Sequence, residues 1–202
     1  ETKFHLFQRL NRGGAYANEQ EVRTCAMVMV APDFVKRIKT LAQNKNFSEM
    51  TSIREMAIKR QKNVEYIVRM LVHTYRDYDN TSDVEEFLDR EIIDVLTSES
   101  IDEFEDKFNF AVDTLHDLFG AKALFPEAGT KNGPGIRFSL RALEAILVGI
   151  LRNSTEIQKL KDPKKFIKAK VLGFWGEEDV AAMSASGLRG TQRLQSATST
   201  DA

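Results

Sequence analysis

The spacing of apolar residues most narrows what this chain can fold into. Between Asn63 and Tyr75, the residues Val64, Ile67, Val68, Leu71 and Val72 fall on one face of a 3.6-residue helix. Phe34, Ile38 and Leu41 form a shorter stripe of the same kind. Val84, Phe87, Leu88, Ile92, Val95 and Leu96 form another, and Phe104, Phe108, Ala111, Leu115 and Leu118 a fourth. From Phe138 to Leu151 the chain is apolar apart from Ser139, Arg141 and Glu144, and reads as a central buried helix. Alternating β-branched runs are scarce. These patterns predict an all-α, irregular multi-helix domain of about eight or nine helices.

Start and stop signals divide that pattern. Ser82 with Glu85, and Ser100 with Glu103, have capping-box spacing. Pro32 ends one helix or starts the next, and Gly120 closes the Phe104–Leu118 helix. Prolines and glycines concentrate in residues 126–135, which reads as a loop. Pro163 opens a short helix over Lys164–Leu172, and Asp179–Met183 reads as one more turn. Residues 1–183 are therefore assigned to the helical domain. Residues 184–202, dominated by Ser, Thr, Gly and Ala, are assigned to a flexible tail. Within that tail, Gly187–Leu194 fits either a phosphate or domain contact or a mobile terminus.

Charge is balanced overall and uneven locally. The 202 residues carry a formal charge of −1, which excludes a globally basic nucleic-acid binder. Residues 1–76 hold 14 Lys/Arg against 7 Asp/Glu, residues 77–117 hold 2 against 15, and residues 131–170 hold 10 against 3. The acidic middle fits a solvated face, a surface that repels nucleic acid, or a dock for a basic partner. The single cysteine, Cys25, excludes an internal disulfide and is expected to be buried beside Ala26–Val30. No histidine pair has metal-ligand spacing, so no metal is expected. No apolar run is long enough to span a bilayer, and a cytoplasmic location without membrane contact is expected.

The N-terminal region carries the most specific motif. Phe4, Leu6, Phe7 and Leu10 read as an amphipathic helix met in mid-course, which suggests the later part of a longer protein. Phe7-Gln8-Arg9-Leu10-Asn11-Arg12-Gly13-Gly14 then turns towards Glu19-Gln20-Glu21-Val22-Arg23. Asn11 tolerates a left-handed conformation, and Gly13 and Gly14 allow close backbone approach. Asn18 is a candidate N-cap with Glu21 three residues on. The free N–H groups of such a helix start can hold an anion, reinforced by Arg9, Arg12 and Arg23. The same residues also fit a purely structural corner.

Phe-x-Arg-Leu-Asn-x-Gly-Gly followed by Gln-Glu-Val-Arg resembles the signature of the GmrSD-type restriction endonuclease N-terminal domain family, which is related to ParB and sulfiredoxin. Lys59-Arg60-Gln61-x-x-Val64-Glu65-x-x-x-Arg69 resembles a second, weaker motif of that family. The likeness spans residues 4 to 152. It implies a prokaryotic antiviral-defence protein that senses or restricts foreign DNA. It also implies an α+β region upstream, where an Asp-Gly-Gln-Gln-Arg motif is linked to GTP or ATP hydrolysis, followed by a helical part like this one. That motif is absent here, as is the HNH pattern of the nuclease fused to some members. His5, His73 and His116 are scattered. No catalytic residue and no cofactor are therefore expected on this chain itself. The implied nucleotide- or domain-contact residues are Arg9, Asn11, Gly13, Gly14, Gln20, Glu21, Arg23, Arg60, Glu65 and Arg69. The implied partners are the upstream catalytic region and DNA, and a homo-oligomer is compatible.

Two constellations have competing explanations. Glu65 and Arg69, four apart on a helix, fit a surface ion pair or a buttress that supplies buried partners to the corner. Lys161, Lys164, Lys165 and Lys168 share one helical face near Phe166, Phe174 and Trp175. They fit either a nucleic-acid contact or a solvated face with the aromatics in the core. Against the defence reading stands a non-catalytic helical adaptor that binds a protein partner through residues 77–117.

Overall fold

Side-chain caps and two prolines set most of the helix starts. In the computed structural model, which describes residues 17–78, 82–125 and 138–176, α1 (Glu19–Val30) opens on a complete capping box. Asn18 Oδ1 accepts from the Glu21 amide at 2.8 Å, and Glu21 Oε2 accepts from the Asn18 amide at 2.7 Å. Pro32, whose fixed φ suits a first turn, starts α2 (Pro32–Leu41). Asn44 caps α3 (Lys45–Thr51), and the short α4 (Glu55–Lys59) follows. Gln61, at φ +60°, turns the chain into α5 (Lys62–Tyr75).

The start of α6 (Val84–Ser98) differs from the Ser82/Glu85 box expected above. Asp83 is the cap, accepting from the Glu86 amide at 2.9 Å. Glu85 is drawn away to two arginines and cannot close a box. Ser100 does cap α7 (Ile101–Phe119), and Gly120, at φ +61°, ends it before a 3₁₀ turn over Gly120–Lys122. A left-handed φ there suits glycine at a helix end. α8 begins as Leu140–Ala142, passes through a π turn at Leu143–Leu147 and continues as Val148–Arg152. α9 (Ser154–Gln158) and α10 (Pro163–Gly176) complete the fold. The fold is all-α: ten helices and no strand among the described residues.

α5 is the axis of the core. Its residues from Val64 to Thr74 are buried, save Glu65, and it packs against α6 and α8, with α2 and α4 also against it. All four apolar stripes read from the sequence point inward, Leu118 alone being half-buried. Phe47, Phe104 and Phe108 are fully buried and form an aromatic knot, with Phe47 edge-on to Phe108 at 5.6 Å and Phe104 tilted against it at 6.2 Å.

Several local expectations are corrected. Cys25 is half-buried rather than buried, and Val28, Met29 and Val30 are exposed, because α1 turns its polar face inward. α10 extends to Gly176, beyond Leu172. Phe166 on that helix is exposed, while Phe174 and Trp175 are half-buried against the core, edge to face at 4.9 Å. The Asn11–Gly14 corner, the 126–135 loop, the Asp179–Met183 turn and the 184–202 tail lie outside the described residues. Among the described residues no helix is long and apolar enough to cross a membrane.

A buried ionic network as candidate functional site

Residues on α1 and α5 singled out in the sequence converge on one buried network. The inward face of α1 is formed by Gln20, Arg23, Thr24 and Met27. Arg23 has a side chain only 1% exposed, and a buried guanidinium requires partners for its donors. It finds them on two elements. Nε donates to Asp89 at 2.7 Å, Nη2 to Glu85 Oε2 at 2.9 Å, and Nη1 to Gln20 Oε1 at 2.8 Å. Gln20 in turn donates to Thr24 Oγ1, which donates to Gln61 Oε1 at 2.7 Å.

The second arginine, Arg69 on α5, is also buried. Its Nη2 donates to Glu85 Oε1, its Nε to Glu65 at 3.1 Å, and its Nη1 to Glu144 Oε1 at 3.4 Å. Glu85 therefore bridges Arg23 and Arg69, one carboxylate oxygen to each. Lys62 adds a third cation, 2.7 Å from Glu65. The simple surface pair is thereby corrected: Glu65 and Arg69 do pair, but Arg69 sits inside the protein and is shared among three carboxylates.

The charged state of Arg69 is secured by these neighbours. Burial works against its charge, but Glu85, Glu144 and Glu65 outweigh that and raise its pKa above the ordinary arginine value. The Glu19 carboxyl at the rim is pushed up by partial burial and by the carboxylates of Glu85, Asp89 and Asp83, against the pull of Arg23. Surplus negative charge thus collects beside the first turn of α1.

Of the residues singled out in the sequence, the network and its edge gather Gln20, Glu21, Arg23, Arg60, Glu65 and Arg69. Arg60 lies 3.5 Å from Glu21, and its carbonyl accepts from Asn18 Nδ2 at 2.8 Å. Arg9, Asn11, Gly13 and Gly14 lie outside the described residues. Lys164, Lys165 and Lys168 are exposed on α10, which packs on α7 and α9; Lys161 is exposed but precedes the helix, so the four do not share one helical face as expected. Lys164 pairs with Asp117 at 3.0 Å.

Sequence reasoning missed Glu85, Asp89 and Glu144. A signal existed for Glu144: a charged residue inside an otherwise apolar helix must be partnered. The π turn of α8 begins at Leu143 and carries Glu144, whose side chain is 2% exposed. Glu85 and Asp89 were hidden among the 15 acidic residues of segment 77–117.

His73 lies one turn beyond Arg69 on α5, stacked on Phe87 at 5.4 Å and edge-on to Tyr78. Burial, then the charges of Arg69 and Arg152, lower its pKa to about 3. The folded pKa is below the unfolded one, so the unfolded chain takes up the proton first and stability falls as pH drops below about 6.5. His73→Phe is expected to remove a slope of about 1.4 kcal/mol per pH unit between pH 6.5 and 5. Urea titrations of both proteins across that range check this, and parallel slopes would refute it.

Among the described residues no three His, Cys, Asp or Glu side chains are grouped to hold a metal ion. Comparison of the chain with protein-family models, curated proteins and solved structures finds no match.

Proposed function

We propose that this chain is the helical supporting part of a prokaryotic defence protein of the GmrSD type. In this reading it holds an NTP-hydrolysing, DNA-sensing region in position through the segment Arg9–Arg23. The supporting observation is how the start of α1 is held. Three residues of the motif that carries the likeness, Gln20, Glu21 and Arg23, are all committed: Glu21 to the capping box, Gln20 and Arg23 to the buried network. A helix start fixed in this way transmits a fixed position to whatever precedes it. Chemistry elsewhere is then supported by geometry rather than by a reactive group here.

The test uses the intact protein with its upstream region. Arg9→Ala is expected to cut GTP or ATP turnover by about 10- to 100-fold with little change in melting temperature. Arg23 is unsuitable for this purpose because its loss disturbs the fold. Unchanged turnover in the folded Arg9 variant refutes the supporting role.

The DNA part of the reading rests on α10. Lys165 and Lys168 are exposed on α10, Lys161 is exposed just before its first turn, and the three form no ion pair among the described residues. Lys161→Glu, Lys165→Glu and Lys168→Glu together should lower the slope of log affinity against log salt by about 2 to 3. An unchanged slope in a fluorescence-anisotropy titration with duplex DNA removes α10 from the interface.

The adaptor reading gains no support from the acidic segment. Glu85 and Asp89 pair with Arg23; Glu91, Asp94 and Glu99 with Arg76; Asp102 and Glu105 with Arg37; Asp77 with Arg152. These eight carboxylates are shared by four arginines, Arg23, Arg37, Arg76 and Arg152, all from outside the segment.

A further inference from the structure

α1 buries three polar residues beside a single apolar one, Met27. Gln20, Arg23 and Thr24 face the interior, while Val22, Cys25, Ala26 and Met29 lie at i, i+3, i+4 and i+7 on the outer face. The first three of these are half-buried, and Met29 is 56% exposed, flanked by Val28 and Val30 at 43% and 45%. A helix packed on a core ordinarily buries such a stripe. We propose that this stripe is the seat of the segment Phe4–Leu10 of the same chain, folded back antiparallel across α1.

Four observations select that occupant. Phe4, Leu6, Phe7 and Leu10 give the segment an apolar face at helical spacing, and Phe4 to Leu10 spans about the length of Val22 to Met29. The connection, Asn11–Asn18, has the length of an ordinary helix–helix link and holds Gly13 and Gly14 for the reversal. An antiparallel return brings Arg9 and Arg12 to the start of α1, where Glu19, Glu85 and Asp89 leave negative charge in surplus. Size argues against a second copy. A stripe about 11 Å long and about 10 Å wide offers on the order of 100 Å², far below the roughly 800 Å² per partner of a stable dimer. A tethered segment needs no such area, because its effective concentration is high. The inference goes beyond the functional proposal and stands whether or not that proposal holds.

The lone Cys25 provides the test, in the full-length chain. The antiparallel alignment sets Leu10 near Val22, Phe7 opposite Cys25 and Phe4 towards Met29. Phe7→Cys is expected to form an intramolecular disulfide with Cys25 under oxidised glutathione about tenfold faster than His5→Cys, which the helical spacing puts on the opposite face. Equal rates in the two variants, or no disulfide, overturn the proposal. Covalent dimers that increase with protein concentration overturn it in favour of a second copy. A companion measurement avoids reliance on the introduced cysteine. Cys25 of the unaltered chain should react with Ellman's reagent about tenfold more slowly than in Phe7→Asp of unchanged circular dichroism. Equal rates there also refute the docking.

Discussion

Arg69→Met is expected to cost about 3–5 kcal/mol of folding stability and roughly 10 °C or more in melting temperature. The reason is what it leaves behind. The Glu144 side chain is 2% exposed and that of Glu65 13%, and both face the Arg69 guanidinium. Removing the cation deprives buried carboxylates of a partner they cannot replace with water. Glu65 keeps Lys62 at 2.7 Å and Glu85, at 31%, is better placed to recover solvent, so the estimate rests chiefly on Glu144. Arg37→Met is the control. Arg37 also bridges two carboxylates, Asp102 and Glu105, but at the surface, where water replaces the lost partner, and it should leave the melting curve unchanged. Chemical denaturation of the two variants decides the matter: if Arg69→Met loses less than about 1 kcal/mol, the network is not a structural keystone.

Phe108→Ala should be comparably severe, at about 3–5 kcal/mol. The ring is fully buried on α7 and contacts Phe47 on α3 and Phe104 one turn earlier. Both neighbours are themselves fully buried, so the surroundings cannot collapse into the space. The urea midpoint should fall while the m-value stays constant. Phe166→Ala, on the exposed side of α10, should change stability by less than about 0.5 kcal/mol. Equal losses in the two phenylalanine variants would contradict the burial pattern.

The contrast between those two phenylalanines marks how far the sequence could be read. Helical stripes were legible because burial against a core imposes a 3.6-residue period, and Val64, Ile67, Val68, Leu71 and Val72 obey it. Caps at Asn18 and Ser100 were legible because the interaction is local. Asp83 displaced Ser82 for a non-local reason: Glu85, the other half of the expected box, belongs to Arg23 and Arg69. α1 misled for a related cause. Its apolar run suggested a buried Cys25, yet the helix presents Arg23 to the interior because carboxylates from α6 await it there. In sequence, the acidic segment 77–117 fits a solvated face, a surface that repels nucleic acid, or a dock for a basic partner. The larger part of its charge is complemented within the fold, by segments that are distant in sequence, which no local pattern reveals.

One such long-range contact bears on how the protein is made. Arg152 donates from Nε to the carbonyl of His73 at 2.6 Å and from Nη2 to that of Arg76 at 2.8 Å, closing the end of α5 from 76 residues away. At ordinary ribosomal speeds that residue is synthesised about 4–15 s after Arg76. During that interval the carbonyls at the end of the central helix lack their native donor, and Glu144, the partner of Arg69, has yet to be made for most of it. The nascent chain cannot complete its core segment by segment. Closure awaits the emergence of α8, and a translational pause placed before that helix would lengthen the exposure of α5 to chaperones and to other nascent chains.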